Sequence, residues 1–198
     1  MMMNRIKKGT QLFYITLFIL AFGACSKPDA LDNNYGYFLD AYIDNVKYTT
    51  SSVASFVQQN QTGCVANKTY TLTNVGQINV DSYFLDVYLK HYSKNQDFAS
   101  IKPASHKIYD GGQLLSPTSC NCDLIIGLVD NSIPSIYNNT ILQTTNIVNN
   151  ITSITKKDST TATYTYLISG NFSCNYKNTN NKIIPVVGNY TIPIKVSR

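Results

Sequence analysis

The chain contains no glutamate and no tryptophan, only two histidines, and few charges: 14% of its 198 residues are Asp, Lys or Arg. Without Glu, every side-chain carboxylate is an Asp, and imidazole chemistry is confined to His91 and His106. A Ser-His-Asp triad can be assembled on paper from His106, Asp110 and one of many serines, but no Gly-x-Ser-x-Gly elbow is present to activate a nucleophile. No EF-hand loop, phosphate loop or dinucleotide fingerprint occurs. Both histidines therefore read as surface or strand-end residues, and the chain is expected to be non-enzymatic, with no cofactor and no metal. Basic runs are also missing. The net charge is +5 from 16 basic and 11 acidic residues, but residues 1–24 hold Arg5, Lys7 and Lys8 and no acid. The remainder carries 13 against 11, a net of +2, and its longest basic run is the pair Lys156 and Lys157. That excludes a nucleic-acid partner, which needs a basic stripe to neutralise phosphates.

The most informative stretch is the N-terminus. Three basic residues lead into a run of 13 almost wholly apolar residues, 12–24, and Gly23 and Ala24 precede Cys25. A membrane-spanning helix needs roughly 20 apolar residues, whereas a signal-peptide core has ~7–15. The layout is that of a secretory signal. Its Gly-Ala-Cys ending resembles the bacterial lipobox, with Phe22 standing three before the cysteine where Leu is usual. The resemblance implies that residues 1–24 are removed and that Cys25 carries acyl chains, two or more of which anchor a protein stably where one does not. Ordinary cleaved secretion and a retained anchor are the alternatives. Residues 25–36 then form the lipidated cysteine and a polar tether. Ser26 with Asp29 and Asp32 resembles lipoproteins sorted to the outer membrane, which in the Bacteroidota are often displayed on the cell surface. The membrane, reached through this lipid, is the expected partner.

Residues 37–198 have the size of one domain, and their composition is β-like. Tyr, Thr, Ile and Val abound, which fit a pleated half-buried surface, and Asn supplies turns. Tyr164, Tyr166, Ile168, Phe172, Cys174 and Tyr176 share one parity, while Thr163, Thr165, Ser169, Asn171, Ser173 and Asn175 hold the other. This period of two predicts one buried and one wet face. Gly170 within the run predicts a bulge or bend. Tyr190, Ile192, Ile194 and Val196 form a second alternating run, whose Pro193 places it at an edge or leaves it paired on one side there. Residues 178–181 read as the loop between the two runs. Asp44 and Asn45 suit a two-residue hairpin between residues 37–43 and 46–50. Residues 82–92 form a central strand with Tyr83, Leu85, Val87 and Leu89 on one face, residues 122–129 another apolar strand, and residues 141–150 a short helix. The sum predicts an all-β, antiparallel β-sandwich with little helix, the alternative being a lipocalin-like β-barrel.

The lipobox, the tether, an opening strand from Phe38 to Val46 with its Asp44–Asn45 turn, and a closing segment Ile168, Ser169, Gly170, Asn171, Phe172, Ser173, Cys174 together resemble uncharacterised Bacteroidota outer-membrane lipoproteins. This chain has Asn45 where those families commonly have Gly, and Tyr48 where they often have Trp. The resemblance implies a β-rich envelope protein and no reaction.

Four further cysteines, Cys64, Cys120, Cys122 and Cys174, suggest up to two disulfides in an exported protein, with three possible connectivities. Cys120 and Cys122 would point the same way on one strand, so each is expected to bond one of Cys64 and Cys174. The competing zinc reading lacks paired Cys-x-x-Cys spacing. Asp158, Ser159 and Thr160 resemble the Asp-Ser/Thr-x acceptor for O-glycosylation in Bacteroidota, with Ser159 the modified residue; a polar hairpin tip is the plain alternative. The tyrosines suit core packing, or sugar stacking if several lie exposed on one face. The expected function is a lipid-anchored envelope protein acting as a non-catalytic interaction or structural module. The alternatives are a surface glycan-binding accessory protein, a lipocalin-like carrier and a small hydrolase, so a glycan or an envelope protein is the expected partner besides the membrane.

Overall fold

The period of two seen in the sequence is realised as strand pairing. The computed structural model describes residues 36–50, 56–62, 68–111, 122–133 and 139–198, with 56–62 described by backbone alone. Among these residues the strands are β1 (Phe38–Ile43), β2 (Val46–Thr50), β3 (Phe56–Thr62), β4 (Thr69–Asn79), β5 (Tyr83–Tyr92), β6 (Ser105–His106), β7 (Ile108–Asp110), β8 (Asp123–Asp130), β9 (Thr140–Leu142), β10 (Val148–Ser159), β11 (Thr163–Asn178) and β12 (Ile183–Ser197). One helical turn, α1 (Asn95–Phe98), follows β5.

The strands form an all-β sandwich with no closed barrel, which sets the lipocalin-like alternative aside. The larger sheet has the order β2-β1-β12-β11-β10-β6, with β9 pairing the end of β11, and the smaller runs β3-β4-β5-β8-β7. All pairings are antiparallel except β7 with β8. Alternate residues of both sheets meet in one core that includes Leu39, Leu85, Leu89, Ile126, Ile168, Phe172, Tyr190 and Ile194, each almost wholly buried.

Local chemistry explains the turns and irregularities. Asp44 and Asn45 have φ of 52° and 67°, the left-handed pair that matches strand twist in a two-residue hairpin. β4 carries an extra residue between Asn74 and Gly76. The Val75 carbonyl there accepts a hydrogen bond from the Tyr37 hydroxyl, so a carbonyl in the irregularity is satisfied across the sandwich. Pro193 faces Leu167 of β11, while β1 pairs β12 only as far as Phe38 opposite Thr191. β12 is thus an interior strand paired on one side at its proline.

Three expectations are corrected. Residues 141–150 are no helix: they hold the end of β9 and the start of β10, where Asn149 lies fully buried. Its side chain donates to the Cys122 and Lys107 carbonyls and accepts from the Tyr190 hydroxyl at 3.3 Å, so an amide occupies a core position and masks the apolar alternation. Gly170 carries no extra residue of its own: β11 runs unbroken, and the bulge in this pairing lies on β10 between Ile151 and Ser153, opposite Gly170 and Ser169. Instead Gly170 lies beneath the ring of Tyr190, its register partner, and Gly188 lies beneath that of its partner Phe172. Finally, the barrel alternative fails because among the described residues the terminal strands, β2 and β6 of one sheet and β3 and β7 of the other, do not pair to close it.

The two ends of the sandwich are closed differently. At one, Phe98 of α1 is fully buried against Tyr166, with ring centroids 4.9 Å apart, and Tyr166 donates to Asn95 at 2.7 Å. At the other, buried Asp130 accepts from the Ser132 amide and hydroxyl and from the Asn178 side chain at 2.9 Å. Burial alone would raise the Asp130 pKa, but these donors, with Lys182 nearby, hold it below the usual carboxylate range. Lys182 in turn contacts Asp44 at 2.6 Å and the Tyr83 hydroxyl at 3.2 Å. Asp130→Asn keeps the shape but removes the charge from these bonds. Its expected cost is about 2 kcal/mol, read from the urea midpoint.

Candidate functional site

The histidines are placed unequally. His91 is fully buried: its Nδ1 lies 2.9 Å from the Tyr92 carbonyl and its Nε2 2.9 Å from the Thr73 hydroxyl. A carbonyl can only accept, so Nδ1 carries the proton and Thr73 donates to Nε2. Burial pushes the His91 pKa down to about 4, against a partial opposing effect of the Tyr92 carbonyl. Both nitrogens are occupied and the ring is neutral, so His91 is a core residue and no general base. His106, on β6, is half-buried, and its Nε2 is enclosed without a hydrogen-bond partner among the described residues. Asp110 does not orient it; that carboxylate accepts the Leu142 amide at 3.0 Å. Among the described residues the triad assembled on paper is not formed.

Cys122 and Cys174 are buried, unbonded thiols, and burial raises both pKa values, to about 12 for Cys174. Cys64, Cys120 and the lipidation candidate Cys25 lie outside the described residues. Among the described residues no three metal-binding side chains converge. Ser159 is exposed at the end of β10, where its amide donates to the Asp158 carboxylate at 2.6 Å. Thr160 closes the hairpin by donating its amide to the Thr163 carbonyl at 2.8 Å. The acceptor-like motif and the polar hairpin tip are therefore the same place.

Tyrosines mostly pack inward. Tyr70, Tyr83, Tyr92, Tyr166, Tyr176 and Tyr190 are buried, and among the described tyrosines only Tyr42 is classed as exposed. A face paved with several exposed tyrosines is not what the described residues present. On the outer face of the smaller sheet, Asp86 is raised above the usual carboxylate range by burial, against hydrogen bonds from Tyr88 and Gln77. Tyr88 is pushed up to about 12, first by burial and then by Asp86. Asn74 donates to Asp86 at 3.5 Å, so this group is largely self-satisfied.

The outer face of the larger sheet carries a feature that spans strands. Thr49, Asp40, Asn189, Asn171, Asn150 and Ser105 are successive register partners on β2, β1, β12, β11, β10 and β6. They form one polar row running across the strands. Its ends are fixed. Asp40 is held below its usual pKa first by the Thr49 hydroxyl and then by Lys47, 3.2 Å away. At the far end Ser105 donates to Asn150 at 2.5 Å. The parallel row two residues along the strands is Lys47, Tyr42, Val187, Ser173 and Val148. Tyr42, Val187 and Val148 are 44%, 45% and 40% exposed. Ile183 and Ile141, both opposite Lys177, are 49% and 67% exposed on the same face. Five of the six exposed large apolar side chains among the described residues thus lie on this face, and such concentrated exposure is a feature of interaction surfaces.

Sequence reading missed this row because its members are far apart in the chain. A signal was present: Asn and Asp are depleted in strands, yet Asp40, Asn150, Asn171 and Asn189 all sit at strand positions. No family model matches the chain, and neither a curated protein nor a solved structure matches it.

Proposed function

We propose that the chain is a lipid-anchored protein of the bacterial outer membrane, displayed at the cell surface, whose β-sandwich acts as a non-catalytic interaction module. The observation that carries the anchoring is the short apolar run, residues 12–24, ending in Gly23, Ala24 and Cys25 behind Arg5, Lys7 and Lys8. The resemblance to Bacteroidota envelope lipoproteins supports the same location, with Ser26, Asp29 and Asp32 following the cysteine. Two structural features support the interaction role. His91 is locked in the core, and the larger sheet turns outward a polar row beside a row that exposes Tyr42, Val187 and Val148. In this compartment Cys64 and Cys120 are candidates for a disulfide, and Ser159 for O-glycosylation.

Cys25→Ala tests the anchor in cells. The wild-type chain should sediment with membranes and be removed from intact cells by added protease without lysis. The variant should lose the acyl chains and leave the membrane fraction, because one unlipidated tether supplies no buried methylenes. Retention of the variant in membranes contradicts the proposal.

A further inference from the structure

We infer that the paired rows on the outer face of the larger sheet form a binding platform for a neutral, extended, β-linked polysaccharide lying across the strands. This rests on the interaction-module reading above and names its ligand class. Neighbouring strands are ~4.8 Å apart, so the row Asp40, Asn189, Asn171, Asn150 repeats a polar side chain at that interval. A pyranose with equatorial linkages advances a chain by nearly the same step, which lets successive sugars meet successive strands in register.

The side chains suit the two surfaces of such a chain. An Asn amide offers two donors and an acceptor, which matches sugar hydroxyls. Among the described residues the Asn171 and Asn189 amides make no side-chain hydrogen bond, whereas the row's ends are pinned by Thr49 and Ser105. The row is therefore preorganised at its ends and open in the middle. The second row lies two residues, ~7 Å, further along each strand. There Tyr42, Val187 and Val148 present apolar area for the C–H faces of the rings while the hydroxyl edge meets the amides. Charge selects the ligand further. Asp40, the carboxylate of the row, is paired with Lys47 at 3.2 Å, so the platform is close to neutral and complements an uncharged chain.

Strand propensity strengthens the assignment. Thr fits a strand better than Asn, so amides at 171 and 189 cost local stability that the fold itself does not require. The double variant Asn171→Thr/Asn189→Thr separates binding from folding. The purified mature protein would be titrated calorimetrically with cellohexaose, mannohexaose, maltohexaose and hexagalacturonate. Cellohexaose or mannohexaose, which are flat and neutral, should bind. Curved maltohexaose and anionic hexagalacturonate should bind about tenfold more weakly or not at all. The double variant should weaken the flat-chain affinity by about tenfold or more, with a Tm equal to or above that of the wild type. The inference is overturned if neither flat chain binds, if a curved or anionic chain binds as well, or if affinity survives the double substitution. Membrane fractionation of Cys25→Ala is independent of these titrations, so loss of this inference leaves the anchoring account standing or falling on its own result.

Discussion

Gly188→Ala should lower Tm by about 5–10 °C, the equivalent of an overpacking cost of roughly 2–3 kcal/mol in a domain of this size. A Cβ built on Gly188 lies 2.5 Å from Cε1 and Cζ of Phe172 and 2.8 Å from the Asp40 carbonyl oxygen. The ring can yield only into a packed core, and the carbonyl belongs to β1, hydrogen-bonded beside it. Gly170→Ala meets the same obstacle from the other direction. Its Cβ would lie 2.5 Å from the Tyr190 hydroxyl and 2.8 Å from the Asn150 carbonyl oxygen. The two aromatic rings, with centroids 6.4 Å apart, each cover the glycine on the neighbouring strand. The arrangement fills the space left by two missing side chains and buries both rings. Thermal melts of Gly188→Ala, of Phe172→Leu and of the double variant test the cause. The second substitution should be less than additive with the first, because it removes the ring that the new methyl meets. Full additivity would show that the ring is not the obstacle.

The second large effect is a loss of stability in mild acid through His91. In the fold its pKa is about 4, whereas in the unfolded chain it reverts to ~6.5. Between these values the unfolded state binds a proton that the folded state refuses, so stability falls as pH falls. The contribution is present in full above pH ~6.5 and lost on descending through about pH 4. It amounts to about 3 kcal/mol over that window. His91→Gln has no such proton to take up. Its stability at neutral pH should be lower, because the bonds to Thr73 and Tyr92 are disturbed. Between pH 7.5 and 4.5, however, it should change by about 2 kcal/mol less than the wild type. Urea titrations of both proteins at the two pH values measure this difference. Equal pH dependence would place the imidazole in water rather than in the core.

Much of the architecture could be read from residue order because burial alternates along single strands. β11 and β12 show this best: Tyr166, Ile168, Phe172, Cys174, Tyr176, Tyr190, Ile192, Ile194 and Val196 all face inward as their parity requires. The β1–β2 turn was equally legible, since Asp and Asn tolerate positive φ. What escaped depends on partners distant in the chain. The role of Gly170 is visible only once Tyr190 is known to lie opposite it. The start of β10 resembles no strand because its inward residue is Asn149, whose hydrogen bonds come from β12 and the segment around Lys107 and Cys122. The parallel pairing of β7 with β8 joins residues whose connecting segment gives no periodic signal.

The candidate site divides the same way. The sequence lacks the motifs that would activate a histidine base, and His91 is held in the core by its bonds to Thr73 and the Tyr92 carbonyl, partners that only the pairing of strands reveals. The tyrosines were legible as strand residues, and among the described residues they are buried or half-buried except Tyr42, which lies beside the amide row. The row itself needed register across six strands. No single segment contains more than one of its members, so only pairing brings them together.

The most direct test of the account is the mass of the N-terminal peptide from protein extracted out of membranes. The account predicts a first residue of Cys25 bearing a diacylglyceryl group, with residues 1–24 gone. A peptide that still begins at Met1, or one that carries an unmodified Cys25, would contradict it.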